Sequence, residues 1–297
     1  MKILITGVNG FIGQRLASKL LNKGHTVVGI GREEESKIPN IAAYYTGSVL
    51  DKKIVERAIV NADAVVHLAA ITSHEEIVNK KEETERINFL GTKNVLDVFS
   101  KSKARKFLYA STGKVYGKIT YLPIDEKHPI NPRNILGKSK LEVEKLIKIY
   151  DSKEKEFIIF RIFNVYGQGQ NENFLIPTIL KQLSNGEKEI VLGDIEAKRD
   201  YVYIDDLVNA FVLGLEQKVS AGVSIYNICT GVSTSASEIV DLIGQIKGLK
   251  IKIKVNSSLI RKDESKEEYG TFDKAKKELG WQPEINLEEG LGKLCKQ

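Results

Sequence analysis

Cysteine is almost absent: the 297 residues hold two, Cys229 and Cys295, neither with a Cys or His partner nearby. A disulfide framework and a zinc site are therefore not expected, and a reduced compartment fits. Proline is as sparse, six in all, too few to mark a long flexible linker. No run approaches the roughly 18 apolar residues of a membrane span. The apolar opening Met1-Lys2-Ile3-Leu4-Ile5 yields at once to Thr6-Gly7, too short for a secretory leader. The expected location is the cytoplasm, with no membrane partner. The four histidines, at 25, 67, 74 and 128, lack the i,i+4 spacing of a helical metal pair, so no metal is expected. Charge of a single sign is missing too. The 45 basic residues, mostly lysine, interleave with 39 acidic ones, and the net +6 describes a solvated surface rather than a nucleic-acid patch. Such an excess also suits a phosphorylated small molecule.

What is present is a globular balance, 42% hydrophobic and 28% charged, long enough for one large domain or a two-lobed unit. Nearly continuous apolar runs predict buried parallel strands at Lys2–Thr6, Thr26–Ile30, Ala64–Leu68, Lys106–Ala110 and Phe157–Ile162. Between them, amphipathic stretches predict helices at Phe11–Lys23, Glu82–Ser100 and Lys138–Tyr150. This alternation is that of an α/β fold, a doubly wound parallel sheet with its ligand crevice at the C-terminal strand ends. After about Tyr166 the rhythm changes: Phe174–Asn185 reads as a helix, and Glu189–Leu192 and Ile251–Val255 as short strands. The expected division is a dinucleotide-binding Rossmann domain over residues 1–165 and about 200–228, with a smaller α/β substrate lobe from about 166–199 and 229–297.

The chemistry begins at Thr6-Gly7-Val8-Asn9-Gly10-Phe11-Ile12-Gly13, between the first strand and the first helix. Gly7 suits the tight turn, Gly10 the close approach of a pyrophosphate, and Gly13 helix-to-strand packing. The helix N-terminus then offers N–H groups and a positive dipole end to phosphates. The second strand runs into Gly31-Arg32 instead of ending in an acid. Gly31 leaves room and Arg32 supplies a cation for a 2′-phosphate, which favours NADP over NAD. The alternative is that Glu33 or Glu35 takes the ribose.

With these segments the chain resembles the extended short-chain dehydrogenase/reductase family, the nucleotide-sugar epimerases and dehydratases. The resemblance continues through His67-Leu68-Ala69-Ala70, Tyr109-Ala110-Ser111-Thr112, Val115-Tyr116-Gly117, Arg161–Gly167, Arg199–Asp206 and Leu279-Gly280-Trp281-Gln282-Pro283. It implies that Ala69 and Ala70 line the cofactor crevice and that Thr112 bonds a sugar oxygen. It implies too that Lys140 holds the nicotinamide ribose and lowers the pKa of a catalytic tyrosine. Asn164, Arg199 and Arg261 match positions near a nucleotide diphosphate, a task that suits arginine's fork. The implied partner is a nucleotide-diphosphate sugar, and two helices, Glu82–Ser100 and Lys138–Tyr150, resemble those of a family homodimer. Apolar Ile87, Leu90, Val95, Val98 and Phe99 exceed what one core face needs. Ser48 stands where the family usually has an adenine-contacting Asp.

Two departures bear on the reaction. The family pattern is Tyr-x-x-x-Lys, yet four residues before Lys140 stands Leu136, which cannot move a proton. Tyr116, Tyr166 and Lys114 are the nearest substitutes. Gly113-Lys114 also replace the Asp-Glu that dehydratases carry after the Ser/Thr, which disfavours dehydration. An epimerase or ketone reductase with one proton shuttle fits better. A member that binds dinucleotide and nucleotide sugar without turnover, as a sensor or partner subunit, is the competing expectation, and a redox sensor distinguishing NADP from NADPH a remote third.

Overall fold

The computed structural model describes residues 1–260 and 265–296, the side chains of His74 and Glu75 apart. In chain order the strands are β1 (Lys2–Thr6), β2 (Thr26–Gly31), β3 (Ala43–Thr46), β4 (Ala64–His67), β5 (Lys106–Thr112), β6 (Glu156–Ile162), β7 (Asn164–Tyr166), β8 (Glu189–Leu192), β9 (Lys198–Tyr203), β10 (Gly222–Ile228), β11 (Ser233–Ser235), β12 (Lys252–Val255) and β13 (Glu267–Glu268). Seven of them form one sheet in the spatial order β3-β2-β1-β4-β5-β6-β10, parallel throughout. The order reverses between β1 and β4, and that switch point opens the ligand crevice of a doubly wound sheet.

The helices are α1 (Phe11–Asn22), α2 (Lys52–Ala58), α3 (His74–Asn79), α4 (Lys81–Glu85), α5 (Thr92–Lys101), α6 (Ile135–Ile149), α7 (Leu175–Ser184), α8 (Ile204–Glu216), α9 (Ala236–Lys247), α10 (Asp273–Leu279) and α11 (Leu287–Cys295). Strand alternation sorts them onto two faces. Ile3, Ile5 and Val66 point to the side covered by Leu16 and Leu20 of α1 and Leu207 and Phe211 of α8. Leu4, Val65 and Phe107 point to the other, covered by Val55 of α2, Phe99 of α5 and Ile147 of α6. Burial on both faces explains why these strands read as unbroken apolar runs.

Beside this core, β9 pairs with β7, β11 and β13, and β8 with β12. The C-terminal segment is pinned to α8, where Trp281 Nε1 donates to the Asp206 carbonyl at 2.8 Å and the Ile285 N–H to its carboxylate at 3.0 Å.

Two expected helices change. The stretch expected as one helix over Glu82–Ser100 is α4, a π-helical turn at Arg86–Gly91, and α5. Thr92 donates its hydroxyl to the Asn88 carbonyl at 2.6 Å, competing with the backbone and widening the turn. α6 begins three residues before the expected Lys138, because the Asn134 carboxamide oxygen accepts the Gly137 N–H at 2.7 Å and caps it. Of the apolar residues taken as surplus, Ile87, Val95, Val98 and Phe99 are buried in the chain's own core, and only Leu90, 46% exposed, faces outward.

Candidate functional site

The glycine turn lies at the switch point. Gly7 has φ +71°, and a Cβ there would stand 2.8 Å from the Ala69 nitrogen. At Gly13 a Cβ would collide with the Gly7 and Val8 carbonyls, whereas at Gly10 it would meet only the Gly7 oxygen, at 3.2 Å. The surface of the loop at Gly10 is thus open. Gly10 caps α1 without a side-chain bond, and no acid lies in the first turn. The N–H groups of Phe11, Ile12 and Gly13 have no partner within the helix. An open glycine floor beneath unpaired N–H groups at a positive dipole end fits a dinucleotide pyrophosphate.

A buried relay fixes the neighbouring β4 loop. Because the Thr92 hydroxyl donates to Asn88, its oxygen accepts from His67 Nε2 at 2.8 Å. His67 Nδ1 then accepts from the Thr6 hydroxyl at 2.7 Å, and Thr6 Oγ1 accepts the Ala69 N–H at 3.2 Å. Burial, then the charge of Lys140, pushes His67 down to about 3, so the ring is neutral and keeps this tautomer. The Asn88 carboxamide pairs with both backbone groups of Ile71, at 2.8 and 3.0 Å. The half-buried Ala69 and Ala70 are held between these clamps. Sequence reasoning missed Asn88, though its spacing of four from Thr92 was visible.

At the end of β2 the expected room above Gly31 is filled: a Cβ there would lie 2.5 Å from the Tyr44 hydroxyl. The glycine is therefore required by Tyr44, whose phenol donates to the Glu33 carbonyl at 2.7 Å. Arg32 is exposed beside it. Asn9, expected as a cofactor contact, has its side chain on the loop after β2, accepting the Lys37 N–H at 3.0 Å and donating to the Glu35 carbonyl at 2.9 Å. Ser48 Oγ accepts the Leu50 N–H at 3.2 Å, a local turn.

Thr112 ends β5, the strand next to β4. Its hydroxyl oxygen accepts the Lys114 N–H at 3.2 Å and caps the short turn Gly113–Val115. Its proton remains to be donated. Lys140 is 4% exposed, not a solvated helix lysine. It donates to the Ala110 carbonyl at 2.7 Å and lies over the Tyr109 ring at 4.8 Å. Burial pushes it down to about 8, against the opposing charge of Glu144. Glu144 in turn binds Arg161 Nη2 at 2.7 Å and the Ser111 hydroxyl at 2.5 Å. Breaking such a buried pair typically costs about 3–5 kcal/mol.

Leu136 is half-buried against Ile71, Ile77 and Ile87. Of the groups weighed as substitutes, Tyr116 is buried and donates to Asn227 Oδ1 at 2.6 Å. Tyr166 is buried with its phenol 3.4 Å from the Asn286 and Leu287 carbonyls. Burial drives both pKa values up. Lys114 lines a cleft with Arg133, Asn134 and Glu268. Its Nζ meets Glu268 at 2.8 Å, and Arg199 Nε approaches the same carboxylate oxygen at 3.8 Å. Glu268 had no sequence signal. Asn164 donates to the Asp200 carbonyl at 3.0 Å. Arg261 lies outside the described residues.

Residues 4–294 match the family profile described as GDP-mannose 4,6 dehydratase. A putative UDP-glucose 4-epimerase of Methanocaldococcus jannaschii is 33% identical over 303 residues, covering 98% of this chain and 96% of that protein. The UDP-glucose 4-epimerase of Thermotoga maritima, solved with UDP-glucose, superposes with a TM-score of 0.90 at 29% identity, over 100% of this chain and 98% of the other. RMD of Pseudomonas aeruginosa, solved with NADPH, gives 0.85 at 27% identity, over 99% and 97%.

Proposed function

Because the chain belongs to the extended short-chain dehydrogenase/reductase family of nicotinamide-dependent nucleotide-sugar epimerases and dehydratases, we propose that it exchanges hydride between a nucleotide-activated sugar and bound NADP, as an epimerase or ketone reductase. One observation carries this reading: the glycine turn, the clamped Ala69-Ala70 segment and Thr112 stand at the C-terminal ends of three neighbouring strands, β1, β4 and β5. Gly7, Gly10 and Gly13 with the N–H groups of Phe11 and Ile12 would hold the pyrophosphate, and Arg32 a 2′-phosphate. NAD is the alternative, with Glu33 on the ribose. The nicotinamide supplies the hydride acceptor or donor. Thr112 donates to the sugar oxygen, charged Lys140 holds the nicotinamide ribose, and Asn164, Arg199 and Arg261 meet the diphosphate. Of the three substitutes weighed, both phenols are spent in the core and Lys114 is held by Glu268, so none of them is assigned the sugar's proton. Gly113 and Lys114 leave dehydration without its acid pair.

Leu136 favours a second reading, a member that binds both ligands and turns over slowly or not at all, since its side chain is integrated into apolar packing. Restoring the phenol decides between them. Losing a proton-transfer group costs on the order of 10² to 10⁴ in rate, so Leu136→Tyr in a nucleotide-sugar panel should raise a barely measurable rate by a comparable factor if the site is degenerate. Wild type that interconverts a sugar at ordinary rates removes the degenerate reading. We take the solution state to be a homodimer through the π turn with α5 and through α6, where Leu90 of the turn and Ile149 of α6 are exposed; sizing in reducing buffer tests it.

A further inference from the structure

We propose that Asn9 sets the coenzyme preference by holding the Glu33 carboxylate away from the adenosine ribose, leaving Arg32 to meet a 2′-phosphate. The proposal rests on the NADP assignment above. Arg32 and Glu33 leave the end of β2 in succession, where the adenosine ribose lies in a doubly wound sheet. Side by side they make opposite demands: the guanidinium attracts a 2′-phosphate, whereas a carboxylate accepts ribose hydroxyls and repels that phosphate. Which of them reaches the ribose therefore decides the coenzyme.

Asn9 decides between them from the glycine loop. It is 4% exposed. Its Nδ2 lies 3.3 Å from Glu33 Oε2, 2.9 Å from the Glu35 carbonyl and 3.1 Å from the Tyr44 hydroxyl, and its Oδ1 accepts the Lys37 N–H at 3.0 Å. Tyr44 and Thr46 complete the grip, donating to the Glu33 and Glu34 carbonyls at 2.7 and 2.9 Å. The carboxylate is also held by a backbone hydrogen bond at Glu33, whereas Lys37 Nζ at 3.8 Å joins two exposed side chains and is screened by solvent. That backbone hydrogen bond lowers the carboxyl's pKa most, with burial opposing it and Asn9 and then the charges of Lys37 and Arg32 adding to it, so the group is ionised beside Arg32. Removing the Asn9 side chain takes away its bond to Glu33 Oε2 and its bonds to the loop that carries this charged carboxylate next to Arg32. Asn9 acts here as a positioning residue, through Glu33.

Calorimetric titration of the purified protein with NADP⁺ and with NAD⁺ tests this, with thermal melts as the folding control. Wild type should prefer NADP⁺ by about ten-fold or more, Asn9→Ala should cut that ratio at least about five-fold, and Asn9→Ala/Glu33→Gln should restore it. Glu33→Gln alone should leave the ratio within about two-fold of wild type, because the carboxylate is already held off. An unchanged ratio in Asn9→Ala, a loss that Glu33→Gln does not rescue, or a large gain from Glu33→Gln alone overturns the proposal. A wild type without NADP⁺ preference overturns the NADP assignment and this proposal with it, and one that binds neither coenzyme overturns the dinucleotide reading itself.

Discussion

Burial holds the Lys140 ammonium down to about 8 while Glu144, one turn along α6, pulls the other way. The group is charged in the folded protein below that pH and a neutral amine above it. If Lys140 donates to ribose hydroxyls, coenzyme affinity should stay level from about pH 6 to 7.5 and fall up to about ten-fold per unit above pH 8. Lys140→Arg, which keeps its charge, should flatten the profile. A level wild-type profile to pH 9.5 in calorimetric titration counts against Lys140 in that role. At this scale the sequence was legible wherever one residue type suits one task, as at Gly7. It was not legible at Gly31, whose reason is Tyr44, a residue 13 positions away that touches it only once β3 pairs with β2.

The strand-turn-helix unit from β1 to α1 separates two kinds of glycine. A methyl group at Gly13 meets two fixed carbonyls, so Gly13→Ala should lower stability by about 1–3 kcal/mol through overpacking. At Gly10 a methyl group faces the loop's open side, with one neighbour at 3.2 Å. Gly10→Ala should therefore melt close to wild type while losing coenzyme affinity by about ten-fold or more, because the pyrophosphate can no longer reach the N–H groups. Thermal melts with and without coenzyme read both, and a Gly10→Ala protein that binds normally removes the cradle. Elements like this one were visible in the sequence because local composition specifies them. The π turn at Arg86–Gly91 was hidden because its cause is a side-chain hydroxyl, Thr92, taking a carbonyl that a regular helix would use. The α6 start was hidden because Gly137 reads as a breaker when it sits inside a capped first turn.

In the whole molecule, β13 contributes two residues to a sheet otherwise built from β7, β9 and β11, and one of them crosses to the turn after β5. No local pattern marks Glu268, since its meaning comes from cations 69 and 154 positions away in the chain, Arg199 and Lys114. Arg199 is nearly buried and is one of the residues proposed to meet the diphosphate. A carboxylate now lies 3.8 Å from its Nε, so an incoming diphosphate meets a fixed negative charge beside its cation. Removing that charge while keeping the side chain's shape should relieve the repulsion. Glu268→Gln is expected to tighten binding of a nucleoside diphosphate such as UDP by roughly ten-fold at low salt, a gain that fades as salt screens the site. Lys114→Met should act oppositely, leaving Glu268 without its nearer partner and free to press on Arg199. If calorimetry finds UDP bound equally by wild type and Glu268→Gln across a salt series, the diphosphate does not approach Arg199 from the Glu268 side, and its clamp must be sought elsewhere along the cleft.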